Sequence, residues 1–461
     1  MPLCWSRSPG RSVATAVTTA AANAGTAAMT AAAWLALLAG CEDPAAPAED
    51  PCAQLAKGHI CTYAGSGIKG FDGDSGHRLH AWMWTPWDIT TDAKGTVYVT
   101  DWNNHRVRRI QGDQIQVVIG TSVPGDGDPE LAEFKAGGAD PLTVSLNHPT
   151  DMLFAEVDSP VAKKGQMLLT AWHNHRFRAW DPVANRISVT CGKNPGFGGD
   201  DQVIGPQTAF NQPSRSVQDA AGNTYTVDMR NWLIRKIGAD KMVRSVAGRW
   251  GKPGGTDGQD SQEVPVADAK FLFFDPAEWG NPYFAGGGLA LTQDGQTLYV
   301  ADTGNHRIRK IDLVKGVVTT IAGSGANGCV DNAGADAACQ NDVAHHPRKG
   351  GFGGDGGPAK AALLNLPTDL AWAPDGRLLF CDSENDRIRA IDLSTGTIAT
   401  VAGGGPGATG IAAKPLASDK IGDQGLATKA TLNRPRGLHV DKAGNLWIAD
   451  SYNNRIRKVK L

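Results

Sequence analysis

From residue 60 onward, apolar and polar positions alternate in short runs broken by Gly, Asp, Asn and Pro, the pattern of half-buried strands joined by turns. Runs with helical spacing are scarce there. The stretch LYVADTGNHRIRKID, Leu298 to Asp312, shows the unit: one strand, a break at Thr303-Gly304-Asn305-His306, then a second strand dense in arginine. The same hairpin recurs at 97–110, 167–180, 224–237, 378–391 and 446–459, which makes six copies.

A Pro-led segment precedes most copies: TPWDITT (85–91), HPTDMLF (148–154), QPSRSVQ (212–218), LPTDLAW (366–372) and RPRGLHV (434–440). In the fourth copy GGGLALT (286–292) stands in its place. A third segment follows, as IQVVIG (115–120), ISVTCG (187–192), MVRSVAG (242–248), VVTTIAG (317–323) and IATVAG (398–403). Each unit therefore reads as four strands, a to d, with turn chemistry such as PDG, QDG and STG between them. One such unit cannot bury both of its faces, so the repeats predict the blades of a propeller. The sixth strand d is missing after 455–460 and is found instead at 60–65, as ICTYAG. The expected fold is all-β, a six-bladed β-propeller with ring closure by the N-terminal strand, which leaves no open edge.

This order of motifs, with the spacing GFGGDGGPA…LNLPTDLAWAPDG over 351–376, resembles the NHL-repeat family and its teneurin-type NHL domains across 60–461. The resemblance implies the propeller. It leaves function open, because that family spans adhesion, RNA binding, lyases and scaffolds.

Residues 1–40 contain Arg7, Arg11 and no acid, and end in an apolar run too short to span a bilayer comfortably, which reads as a signal peptide. Leu38-Ala39-Gly40-Cys41 resembles the lipobox of bacterial lipoproteins, in which the Cys is acylated and becomes the new N-terminus. Residues 41–59 then read as a flexible Pro/Ala/acidic tether, and 60–461 as the propeller. The expected location is the cell envelope, lipid-anchored to a bacterial membrane and facing the periplasm or exterior. Loss of 1–40 moves the formal charge from -2 to -4, so no global basic field points to nucleic acid. A monomer is expected. Disulfides are permitted outside the cytoplasm. Local pairing of Cys52 with Cys61 and of Cys329 with Cys339 is the simplest connectivity, while Cys191 and Cys381 read as buried free thiols within strands.

Asp302 with Arg307, and likewise Asp101 with Arg106, Asp382 with Arg387 and Asp450 with Arg455, read as structural hairpin pairs, since a catalytic group is rarely needed in symmetric copies. The departures draw more interest. The second copy has Ala171 in place of the Asp and adds Trp172, His173 and His175; the third has Trp232 at the His position. The b–c turns and the variable Gly/Asp loops between d and a share one face, the expected binding face. Strand a is innermost in a blade. Its second residue after the Pro is Asp88, Asp151, Arg215, Asp369 or Gly437, with Gly288 in the fourth unit. Carboxylates gathered on one axis would repel unless a cation or Arg215 sat among them. Oxygen ligands of this kind suit calcium, and Trp82, Trp84 and Trp87 could wall a pocket above. No nucleophile elbow, zinc-protease helix or phosphate loop is present, and His345-His346 fit no zinc spacing. The expected function is a noncatalytic, membrane-anchored binding or scaffold module for a protein or cell-envelope ligand, requiring no cofactor. The alternative is a metal-dependent six-bladed enzyme, a gluconolactonase-like hydrolase or lyase, with its site at the channel mouth.

Overall fold

The computed structural model of the protein describes residues 50–121, 123–125, 135–192, 195–205, 208–252, 263–273, 285–323, 350–405 and 421–461. Six antiparallel sheets of four or five strands make the blades. Blade 1 runs outward from Pro86–Thr91 through Val97–Asp101 and Arg106–Gln111 to Gln114–Ile119, its strands a to d. The innermost strands of blades 2 to 6 are Pro149–Phe154, Pro213–Gln218, Leu289–Leu291, Pro367–Trp372 and Gly437–Val440. Blade 6 is completed by Ile60–Ala64, which pairs antiparallel with Arg455–Lys460 in the register Ile60↔Val459 and Ala64↔Ile456. The ring closes as the displaced strand d required. Apolar clusters fill the gaps between neighbouring blades, as where Leu379 and Ile388 of blade 5 meet Leu438, Leu446 and Ile448 of blade 6.

The last residue of strand b is a completely buried Asp in five blades: Asp101, Asp228, Asp302, Asp382 and Asp450. Each collects several donors. Asp450 accepts from the Asn433 amide at 2.8 Å, Asn453 Nδ2 at 3.0 Å and Arg457 Nη1 at 3.1 Å. The expected partners were Arg106, Arg307, Arg387 and Arg455, and the ladder does place these directly opposite. The ion pairs form instead with Arg108, Arg309, Arg389 and Arg457, two residues further along strand c. Reach explains the shift: a long side chain directly opposite overshoots, whereas the diagonal neighbour folds back onto the carboxylate. Arg106 and Arg387 stack on Phe71 and Phe352, at 3.6 and 3.8 Å from the ring centres. Blade 2 has Ala171 at the Asp position, and Asn174 Oδ1 takes over its donors, the Asn147 amide and Arg178 Nη1, each at 3.0 Å.

The Gly/Asp loops before strand a are pinned to their own blades. Asp355 accepts from Arg389 Nη2 at 2.7 Å and from Thr400 in strand d; Asp423 does the same for Arg457 at 2.8 Å and Thr62. A second bond joins blade to blade. The left-handed residue of the b–c turn accepts the amide of the residue before the next Pro: His105 from His148 at 3.2 Å, His175 from Gln212 at 3.0 Å, His306 from Leu366 at 3.0 Å, Asp386 from Arg434 at 2.8 Å and Asn454 from Thr85 at 3.1 Å. Trp232 holds that position in blade 3 at φ +55°, and among the described residues the joint between blades 3 and 4 lacks this bond.

Cys52 and Cys61 form a disulfide, and Cys191 and Cys381 are free and buried. The tether expected over 41–59 already packs from Asp50 onward: Leu55 is buried, Asp50 pairs with Arg78 at 2.7 Å, and the Gly58 amide reaches the Lys460 carbonyl at 2.7 Å. The disulfide and the closing strand account for this order. Cys41, Cys329, Cys339, His345 and His346 lie outside the described residues.

Candidate functional site: the axial cavity

The second positions of the inner strands meet on the propeller axis. Arg215 reaches across it: Nη1 lies 2.6 Å from Asp88 and 3.4 Å from Asp151, while Nη2 lies 3.3 Å from Asp369 and donates to the Arg436 carbonyl at 3.2 Å. All four side chains are buried. The carboxylates also bind neighbouring strands. Asp88 accepts the Met152 amide at 2.8 Å, Asp369 the Leu370 and Leu438 amides at 2.9 Å each, and Asp151 the Thr170 hydroxyl at 3.0 Å. Burial, then the Asp88 charge, pushes the Asp151 carboxyl up to about 8, and burial pushes Asp369 up to about 7. Burial opposes the charge on Arg215, but Asp369, Asp88 and Asp151 outweigh it and drive its pKa further up. Gly437 permits this convergence, because any Cβ there would overlap the Trp87 carbonyl oxygen of blade 1.

The guanidinium sits where a cation was expected. All six carboxylate oxygens already accept a hydrogen bond from it, from a backbone amide or from Thr170. Among the described residues no group of His, Cys, Asp and Glu has a metal-holding arrangement. The set does not fit calcium, which seeks about six to eight oxygen ligands at close range.

This cluster is the floor of a cavity of about 1020 Å³. Ile89, Leu289, Leu370 and Leu438 supply apolar wall, and Thr90, Thr91, Ser216 and His439 polar wall. Asp92 to Lys94, Glu156, Lys164, Val183, Asp441 and Lys442 stand at its rim. These rim residues belong to the a–b and c–d turns, so the cavity opens on the face of tight turns, opposite to the expected one. On the loop-rich side the axis is filled by aromatic rings. Trp87 stacks on Trp102 at 4.7 Å, Trp172 lies 5.8 Å from Trp102, and His173 stacks on Trp172 at 3.8 Å while its Nδ1 lies 3.0 Å from that of His148. Met229, Phe271 and Phe273 join the same cluster. Trp82 and Trp84 do not wall the cavity: Trp82 is partly exposed, and Trp84 lies under Lys69 Nζ at 4.8 Å. Strand direction explains it, since residues before the Pro turn outward from the axis. The wall residues Thr90 and His439 went unread, although they follow the floor residues Asp88 and Gly437 by two positions on strands already identified as innermost.

Residues 281–392 and 397–461 match the family described as Teneurin NHL domain, and 83–110 match the NHL repeat. The chain is a six-bladed β-propeller that carries NHL repeats. It is similar to NHL repeat-containing protein 2 of Gallus gallus, 29% identical over 317 residues that cover 65% of this chain and 37% of the relative. It also resembles Teneurin-4 of Homo sapiens, 37% identical over 105 residues, or 22% of this chain and 3% of that one. The NHL propeller thus spans only a minor part of these curated relatives. Among solved structures, an auxiliary nutrient binding protein from Bacteroides ovatus superposes with a TM-score of 0.54 at 13% identity, covering 87% of this chain and 75% of that one. That likeness concerns the fold alone.

Proposed function

We propose that this NHL propeller is a noncatalytic binding module of the cell envelope, held to a bacterial membrane through lipid on Cys41, and that it takes a small ligand in its axial cavity. The observation that carries this reading is the cavity itself, about 1020 Å³, blind at the Trp87–Trp102–Trp172 end and walled by the inner strands. Its size and mixed lining are those of a small-molecule site. Inner strands, each paired with strand b of its own blade and tied to neighbouring inner strands through Asp88 and Asp369, hold such a wall more rigidly than loops would. The Gly/Asp loops, by contrast, are occupied in holding their own blades. An auxiliary nutrient binding protein from Bacteroides ovatus shares the fold, a precedent for ligand binding on it.

Melting the protein against a panel of small solutes tests the reading. A ligand should raise the melting temperature of the wild type and not of Ala371→Trp, which fills the cavity. Membrane fractionation of Cys41→Ser tests the anchor: release from the membrane or an unprocessed chain is expected, and a wild-type mature N-terminus elsewhere without lipid would refute it. Calorimetry with calcium addresses the metal-dependent hydrolase or lyase. Uptake by the wild type that is lost in Asp88→Asn with Asp369→Asn would favour that enzyme over the binding module.

A further inference from the structure

We infer that the cavity selects a small organic cation, a primary ammonium on an apolar body, with the ammonium seated against Asp88, Asp151 and Asp369. This rests on the cavity reading above and names its ligand class.

The charge count comes first. Three carboxylates share one guanidinium, and among the described residues no other Lys or Arg forms an ion pair with them. Arg436 contributes only its backbone carbonyl to Arg215, because its guanidinium pairs with Glu384 at 2.8 Å. A buried excess of negative charge is costly. The upward displacement of Asp151 and Asp369 shows how the floor relieves it, by holding protons near neutral pH. A ligand ammonium would replace those protons with a charge that leaves the carboxylates ionised.

A second observation is independent of the charges. Thr90 is 5% exposed and lines the cavity, yet its hydroxyl has no hydrogen-bond partner among the described residues. Thr91 differs, being bonded to His439 Nε2 at 2.9 Å. A hydroxyl open to a cavity and without a protein partner is a ready contact for a polar atom of the occupant. Ammonium has three donors and needs only acceptors, which the second lone pairs of the carboxylates and the Thr90 oxygen provide. The leucines of the wall suit an alkyl body. At the rim, Lys94, Arg109, Lys164 and Lys442 face Asp92, Glu156 and Asp441, a near balance, so selection by charge falls to the floor, where only Arg215 and neutral His439 accompany the carboxylates.

Calorimetry with n-hexylamine, 1-hexanol and hexanoate tests this on the folded full chain. The amine should bind, and the alcohol and acid should bind at least about tenfold more weakly. Asp151→Asn and Asp369→Asn, checked for folding by melting, should weaken the amine by about tenfold or more and leave the alcohol unchanged. Amine binding should tighten from about pH 6 to about pH 9 with proton release, because the floor titrates in that range while the amine stays charged. Hexanol binding as tightly as hexylamine, and blocked by Ala371→Trp, would overturn the cation and leave the cavity reading standing. Failure of all three probes would also overturn the cation, and the solute panel alone would then decide the cavity.

Discussion

Blades 4 to 6 and blades 1 to 3 place different residues at the same two axial positions. In the first group the residue after the strand b Asp is Thr303, Ser383 or Ser451, and the second inner-strand position is Gly288, Asp369 or Gly437. These join blades: Ser383 donates to the Pro435 carbonyl and Ser451 to the Pro86 carbonyl, each at 2.6 Å. In the second group the same positions are Trp102, Trp172 and Met229, and Asp88, Asp151 and Arg215. They close one end of the axis with rings and build a charged floor below. The teneurin-type match lies entirely within 281–461, the regular half. Architecture is therefore uniform around the ring while the axis is specialised mainly on one side; the floor draws Asp88, Asp151 and Arg215 from that side and Asp369 from the other.

Two changes should have the largest effects. Deleting residues 42–66 removes the outer strand of blade 6, through which the regular half joins blade 1, and should abolish a single cooperative melting transition. An unchanged melting temperature would show that closure contributes nothing. Trp172→Ser gives the divergent half the residue type of the regular one. It deletes a completely buried ring and should cost about 3–5 kcal/mol in chemical denaturation. A near-neutral result would mean that the two halves are interchangeable at the axis.

The buried Asp network gives a narrower test. The Asn453 amide donates to Asp450 and to the Thr431 carbonyl, whereas Asn174 supplies the acceptor that Ala171 lacks. Asn174→Ala should therefore destabilise by about 1–3 kcal/mol, more than Asn453→Ala. Equal losses would deny that blade 2 compensates for its missing carboxylate.

The fold was legible because strand alternation and turn residues repeat, and a repeat read six times corrects its own errors. The Asp88, Asp151, Arg215 and Asp369 convergence was legible for the same reason, as one column of the repeat. Two things were not. The partner of each buried Asp depends on side-chain reach, which alignment of strands does not encode; hence Arg108 in place of Arg106. The open end of the axis depends on how Trp102 and Trp172 fill space, and their bulk at a turn reads in sequence as surface variation.

The floor predicts a pH dependence carried by Asp151 of the divergent half and Asp369 of the regular one. The folded-state pKa of Asp151 is raised, so the folded protein binds this proton more tightly than the unfolded chain. Its contribution is favourable at low pH and is lost as pH rises from about 4, the unfolded value, through about 8. Asp369 acts in the same direction, up to about 7. Melting temperature should fall across that window, and Asp151→Asn should reduce the fall, with its advantage over the wild type largest at the alkaline end. An advantage independent of pH would mean that Asp151 is ionised throughout.

The smallest expected effect concerns the joints. Asn454 holds the Thr85 amide at 3.1 Å across the closing joint, and it does so from a left-handed conformation, φ +52°. Asn454→Gly keeps that backbone freely accessible and removes the acceptor, leaving a buried amide without its partner. The cost should be about 1–2 kcal/mol. Asn454→Ala should cost roughly 1 kcal/mol more, because a Cβ disfavours this conformation. Hydrogen exchange at Thr85 is the direct measurement. In Asn454→Gly its protection should drop towards that of the amides at the joint between blades 3 and 4, where Trp232 already replaces the acceptor. If Thr85 keeps its protection, the bond does not hold the joint, and the regular and divergent halves are tied by packing alone.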